Sequence, residues 1–232
     1  MKKILYILLP IATIFGGCNE ERLFNEDEVR TPIAISTPQN FADPNLNQQA
    51  KDLYTRLIDL RERGIAFGQQ VPFGIGNNFP VNNRLEEDFF EVTGDHPAVV
   101  GFDLELIALQ PEIEIDGTSF LDDFINKITS AAIEAHENGS IVTFSWHQSS
   151  FRRFDVGERV NYNGVVKELL EGGMYREEFV KRLSRAARLF KNLVDSEGNS
   201  IPVLFRPWHE MNGDFFFWGA DFRSKDEYVT LW

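Results

Sequence analysis

Ile201-Pro202-Val203-Leu204-Phe205-Arg206-Pro207-Trp208-His209-Glu210 begins as an apolar, β-branched run and ends in titratable side chains. A short apolar run bounded by turn signals reads as a buried strand. Successive side chains on a strand alternate between faces. Val203 and Phe205 therefore fall on one side, and Leu204, Arg206, Trp208 and Glu210 on the other. An arginine on an inward face is costly unless a carboxylate meets it, so the second side is a polar pocket with an acidic partner nearby.

Working outward, two more segments repeat the pattern. Residues 141–147 place Val142 and Phe144 on one side and Thr143, Ser145 and His147 on the other. Residues 98–106 place Asp103 and Glu105 with Gly101. Each run is apolar at its start and polar at its C-terminal end. A fourth, shorter candidate is residues 65–69. Helical spacing fills the gaps: Leu46, Ala50, Leu53, Tyr54, Leu57 and Ile58 before Gly64; a helix from Phe120, with Ser119 and Asp122 spaced as a cap and Asn138-Gly139 as its stop; Phe179 to Val194 before Gly198; and a last helix from Lys225.

Strands alternating with helices call for a parallel sheet with covering helices, either doubly wound or a (β/α)8 barrel. A doubly wound nucleotide site needs a glycine-rich loop after the first strand. Gly74-Ile75-Gly76 comes late and lacks the third glycine. Polar groups gathered at three C-terminal strand ends are the barrel's signature, since active sites sit on that face. The expected fold is thus a (β/α)8 TIM barrel. A full barrel takes eight strands and about 250 residues. Only four strands are readable before Trp232, so the chain is expected to supply the first four βα units over residues 46–232, and not to hydrolyse glycan or fold as a stable monomer alone.

The 232 residues carry a net charge of −13. A surface this acidic repels phosphate backbones and argues against nucleic acid as a partner. Cys18 is the single cysteine, which rules out an internal disulfide. Lys2 and Lys3, an apolar run over residues 4–15, and Gly16-Gly17-Cys18 read as a lipoprotein signal peptide (residues 1–17). Phe15 stands where such a signal usually has Leu. Residues 18–45 are polar, acidic and punctuated by Pro32, Pro38 and Pro44, as in a tether. The expected location is the bacterial cell envelope, lipid-anchored through Cys18.

Past Glu210 the chain reads Met211-Asn212-Gly213-Asp214-Phe215-Phe216-Phe217-Trp218-Gly219. An aromatic run at a strand end can stack on the apolar C–H faces of sugar rings, or it can pack a barrel rim. Arg206-Pro-Trp-His-Glu210-Met-Asn-Gly213, continued by residues 215–219, resembles the catalytic signature of glycoside hydrolase family 26. Ser145-Trp146-His147 is similar to that family's preceding strand, and Phe67-Gly68-Gln69 with residues 97–103 to its first two. The resemblance implies a (β/α)8 barrel that hydrolyses β-1,4-mannosidic bonds with retention, with xylan and mixed-linkage glucan as less frequent substrates, and it implies no cofactor. It assigns Glu210 as the general acid/base, His209 as its sugar-orienting neighbour, His147 as a substrate-binding histidine, and Trp218 and Phe215 as the aromatic platform. Phe215 departs from the family's usual Trp. The nucleophile, a glutamate near the seventh strand, has no counterpart here.

A retaining glycosidase needs two carboxyl groups about 5–5.5 Å apart, one protonated and one ionised. Glu210 suits the first role if Trp208, Phe215 and Trp218 desolvate it. Each candidate also has a plainer explanation. Glu210 could be a structural partner of Arg206, and His209 or His147 a satisfied core histidine. Asp103 is balanced between ligand contact and pairing with Arg206. His96 and His136 read as solvated. A metal ring of His147, His209, Asp103 and Glu210 is disfavoured because no second His follows His209-Glu210 at zincin spacing. A chitinase-like barrel, hinted at by Asp103-Leu104-Glu105, leaves residues 206–219 unexplained. A non-catalytic glycan-binding surface lipoprotein is the rival from another class.

Overall fold

The computed structural model describes residues 41–70, 88–109, 114–115, 117–151 and 162–232. The signal segment, Cys18, most of the tether and Gly74-Ile75-Gly76 lie outside the described residues.

Helix α1 (Gln48–Arg63) starts at Asn47, whose side chain accepts the Ala50 N–H and so satisfies one orphan donor of the first turn. Strand β1 (Gly68–Gln70) follows. It is shorter and later than residues 65–69: Ile65 is 98% exposed, so the apolar pair before it marks no buried strand. Next come α2 (Asp88–Thr93), β2 (Val99–Asp103) and α3 (Glu105–Ala108). β2 stops at Asp103 because its carboxylate accepts the Glu105 N–H at 2.9 Å and Leu104 is already in the helical region. Glu105 therefore begins a helix and does not continue the face of Gly101 and Asp103.

A two-stranded antiparallel ribbon, β3 (Glu114–Ile115) and β4 (Thr118–Ser119), leads into α4 (Phe120–Glu137). Ser119 caps α4 by accepting the Asp122 N–H. The helix ends at Asn138 with Gly139 at φ +87°, a left-handed turn that glycine adopts without Cβ strain. β5 (Ile141–Trp146), α5 (Val165–Leu169), α6 (Arg176–Asn192), β6 (Val203–Pro207), a 3-10 turn (Ala220–Phe222) and α7 (Lys225–Leu231) complete the order.

The four strands β1, β2, β5 and β6 form one parallel sheet in that order, so neighbours in space are neighbours in sequence. A doubly wound sheet would reverse direction along the chain; this order shows no reversal. The register sets Asp103 beside Ser145, and Ser145 beside Arg206, in one row across three strands.

The helix side of the sheet is the main core. Phe102, Phe144 and Trp146 pack with Ile107, Leu121, Ile125, Ala132, Leu189 and Leu193, and the Phe102 and Phe144 rings stack at 5.2 Å. Phe205 sits edge-on to Phe190 of α6 at 5.2 Å, on the side that alternation gave it. A second cluster forms at the C-terminal end of the sheet, where Val165, Val166, Leu169 and Phe179 enclose Trp208, Phe217 and Trp218.

Trp208 does not face the pocket as alternation predicted. It is buried in that second cluster, with its ring 5.7 Å from Trp146. The reason lies in the backbone: β6 ends at Pro207, and Trp208 and Glu210 take the left-handed φ values +49° and +54°. Such values are uncommon for side-chain-bearing residues and cluster at functional sites. Two left-handed residues break the alternation and turn His209 toward β5.

Candidate active site

Asp103 anchors the site. Its Oδ2 accepts the Ser145 hydroxyl at 2.9 Å and faces Nδ1 of His147 at 2.5 Å. The expected alternative, a pair with Arg206, is not formed; Asp103 is committed to His147. The half-exposed His147 ring in turn places its Nε2 3.0 Å from Nε2 of His209. Asp103 of β2, His147 just after β5 and His209 in the turn after β6 thus form one hydrogen-bonded chain.

Glu105, on α3, is occupied elsewhere. One carboxylate oxygen accepts the Trp146 indole N–H at 3.1 Å and the other the Ser149 N–H at 2.7 Å. It braces the loop after β5 from the core side.

His209 is buried. Its pKa lies below the usual histidine value of 6.5, first because burial disfavours the imidazolium and then because His147, when it carries a second proton, and Arg206 present positive charge; Glu210 acts the other way. His209 is therefore a neutral imidazole near neutral pH. Its carbonyl accepts the indole N–H of Trp218 at 2.7 Å.

That bond defines Trp218. The resemblance matched it to an aromatic platform; here it is 0% exposed and stacks against Phe216 with ring centroids 4.3 Å apart. It is buried in one cluster with Val165, Val166, Leu169 and Phe217. Trp218 supports His209 and offers no free face. Phe216, which sequence reasoning did not single out, is the ring that reaches the histidines, 5.3 Å from His209 and 5.8 Å from His147. Phe215 is 55% exposed and edge-on to Phe216 at 4.8 Å. It is the accessible aromatic of the run.

Glycine at 219 has a steric cause. A Cβ there would meet the Gly213 carbonyl oxygen at 2.2 Å. The loop closes on itself at this point, which sets the positions of Phe215, Phe216 and Trp218.

Glu210 stands exposed at the same end of the sheet. Arg206 Nη2 approaches its Oε1 at 3.8 Å, with both side chains more than half exposed. A pair of that kind contributes about 0–1 kcal/mol and does not tie the carboxylate down. Trp208 and Trp218, expected to desolvate Glu210, are held in the core instead. Gln70 is a further polar group on this face that sequence reasoning missed. Its side chain lies over Gly101, where a Cβ would collide with it, and its Nε2 donates to Ser145 Oγ at 3.2 Å. Among the described residues no three His, Cys, Asp or Glu side chains gather as metal ligands.

The arrangement can supply a solvent-accessible carboxyl, imidazole donors and acceptors, and an exposed ring face. Comparison with known proteins gives it a place. The model for glycosyl hydrolase family 26 matches residues 42–232. A mannan endo-1,4-beta-mannosidase of Bifidobacterium adolescentis is 32% identical over 236 residues, covering 99% of this chain and 22% of that protein. One from Bacillus subtilis is 28% identical over 211 residues, covering 87% of this chain and 54% of its own length. The solved structure of a family 26 β-mannanase from Bacteroides ovatus superposes with a TM-score of 0.67 at 29% identity, over 81% of this chain and 53% of that one. The chain thus spans 22% and 54% of the two curated relatives and 53% of the solved one. With the family model covering the whole sheet and the turn that carries Glu210, the chain belongs to glycosyl hydrolase family 26.

Proposed function

We propose that this chain carries the acid/base side of a retaining glycoside hydrolase acting on β-1,4-mannosidic bonds of mannan-type polysaccharides. The observation that carries the reading is Glu210: an exposed carboxyl on a left-handed turn at the C-terminal end of a parallel strand, beside a neutral histidine, in a chain of family 26. Glu210 protonates the glycosidic oxygen as the bond breaks, then takes the proton of the attacking water. His209 and His147 hold hydroxyls of the sugar beside it, and Phe215 stacks on a ring face. The two relatives named as mannan endo-1,4-beta-mannosidases favour mannan over other β-glycans.

Retention also needs a nucleophilic carboxylate. Asp103 is bound to His147 and Glu105 to Trp146 and Ser149, so neither is assigned that role. The sheet is read as an arc of a (β/α)8 barrel, because its strand order follows the chain and its polar groups collect at the C-terminal ends. Lipid attachment at Cys18, and with it a place on the cell envelope, belongs to the same reading and rests on Gly16-Gly17-Cys18. Fractionation of cells expressing the wild type and Cys18→Ala tests it: lipid-dependent retention on membranes is expected, and equal solubility of both overturns it.

The catalytic test is Glu210→Gln in a mannan-hydrolysing protein that contains this chain. Turnover on mannan should fall about 10²–10⁴-fold, the usual contribution of a general acid. An aryl mannoside with an activated leaving group should lose less, because it needs little protonation. Equal loss on both substrates, or none, removes Glu210 from the acid/base role. Binding of mannan without any release of reducing ends by the wild type would mark a glycan-binding protein instead.

A further inference from the structure

The carboxylate of Asp103 is surrounded by donors. Its Oδ1 accepts the Glu105 N–H at 2.9 Å, its Oδ2 accepts the Ser145 hydroxyl at 2.9 Å, and the His147 N–H lies 3.4 Å from both. A carboxylate has no proton to give, so the contact at 2.5 Å with His147 Nδ1 requires the proton on that nitrogen. When His147 carries only that one ring proton, its Nε2 keeps a lone pair. That lone pair points at Nε2 of His209, 3.0 Å away, and a hydrogen bond of this length holds one proton. The proton must then belong to His209 Nε2. His209 Nδ1 is left as a buried lone pair with no hydrogen-bond partner.

We propose that Asp103 is a positioning residue that acts through His147 to fix the tautomer of His209, so that the pair presents an acceptor on His147 and a donor on His209. A hydroxyl needs both, since it donates one hydrogen and accepts another. One that enters between the rings would donate to His147 and accept from His209, in that order only. Of the other charged groups at this end of the sheet, Arg206 opposes a second proton on His209, and Glu210 is separately exposed. The inference rests on the glycosidase reading for the identity of the hydroxyl, but the tautomers are a property of the free protein.

The test is Asp103→Asn in the full chain, read by nitrogen-15 NMR of the histidine rings at a pH where the His147 signals themselves show a single ring proton. His96 and His136, at the opposite end of the sheet, serve as references. The Glu105 N–H pins the amide oxygen of Asn at the Oδ1 position, which turns the NH2 group toward His147 Nδ1. Both tautomers then invert: His147 becomes protonated at Nε2 and His209 at Nδ1. Asp103→Ala removes the constraint without reversing it, so both rings should show a mixture. A residue that only filled space would tolerate isosteric Asn better than Ala, the opposite order. The wild type must show His147 protonated at Nδ1 and His209 at Nε2. A wild-type His209 protonated at Nδ1 overturns the proposal, as does an Asn variant with both tautomers unchanged. If the Asn variant does not fold, the Ala variant decides: a single wild-type tautomer retained there overturns it. None of these readouts needs hydrolysis, so a failure of Glu210 as general acid is visible separately.

Discussion

The indole N–H of Trp218 donates to the carbonyl oxygen of His209 over 2.7 Å, and both groups are buried. The bond links the aromatic loop to the turn that carries Glu210, one residue further on. Trp218 is therefore expected to matter through the shape of that turn.

Trp218→Phe keeps an aromatic ring in the cluster but removes the donor. A buried carbonyl left without its partner costs about 1–3 kcal/mol. The variant should unfold at lower denaturant by that amount. Because His209 is no longer held, its cross-ring contact with His147 should also loosen, visible as broadened ring signals. An unchanged unfolding midpoint would mean that water or another donor replaces the indole.

The two glycines that flank the aromatic run should behave differently. At Gly219 a new Cβ meets backbone, the Gly213 carbonyl oxygen at 2.2 Å, and the loop must open to admit it. At Gly213 the Cβ meets the Phe215 ring at 2.4 Å, and that ring is exposed and can swing away. Gly219→Ala should cost roughly 1–3 kcal/mol, as overpacking does. Gly213→Ala should stay within about 1 kcal/mol of wild type, since Ala also restricts the unfolded chain. Equal effects on the unfolding midpoint would contradict the loop closure described here.

Much of this site was legible because strands impose a two-residue period. Asp103, Ser145 and Arg206 fell on one row as alternation required, and the apolar partners Phe144 and Phe205 went to the helices. The period says nothing once the strand ends. Trp208 and His209 exchanged roles because two residues, Trp208 and Glu210, use left-handed backbone, which no side-chain pattern announces at a non-glycine residue. Trp218 was misplaced for a different reason. Whether an aromatic in a loop is platform or core depends on which distant segments cover it, here Val165, Val166 and Leu169 of α5. α5 itself is five residues long, and α2 and α3 are no longer than six. Helices this short carry too few turns for a hydrophobic period to register.

Phe215 is the ring with a free face, and it stands where the family usually has Trp. Phe215→Trp adds stacking area at an exposed position without disturbing the core. Stacking of bases on aromatic side chains contributes about 1–3 kcal/mol per ring, and a sugar face should gain at or below the lower end. A Michaelis constant for mannan oligosaccharides that falls by up to several-fold, with turnover little changed, is the expected result. Constants that do not move would remove Phe215 from the binding surface.

The depressed pKa of His209 gives stability a pH dependence of known sign. The unfolded chain takes a proton near the ordinary histidine value of 6.5, whereas the folded chain resists it, mainly because the ring is buried. Above that value both states are neutral at this residue, and no penalty applies. As pH falls through 6.5 the unfolded state binds a proton that the native state does not, so stability declines until the lower native pKa is reached. His209→Gln replaces the imidazole with a group that does not titrate, and it should flatten this part of the profile. The measurement is the unfolding midpoint at a series of pH values from 7.5 down to about 5, for both proteins. The wild type should lose more stability than the variant over that window, whatever their absolute difference at pH 7.5. Parallel curves would show that His209 is protonated in the folded protein as readily as in the unfolded chain. The neutral imidazole facing His147 would then have to be given up.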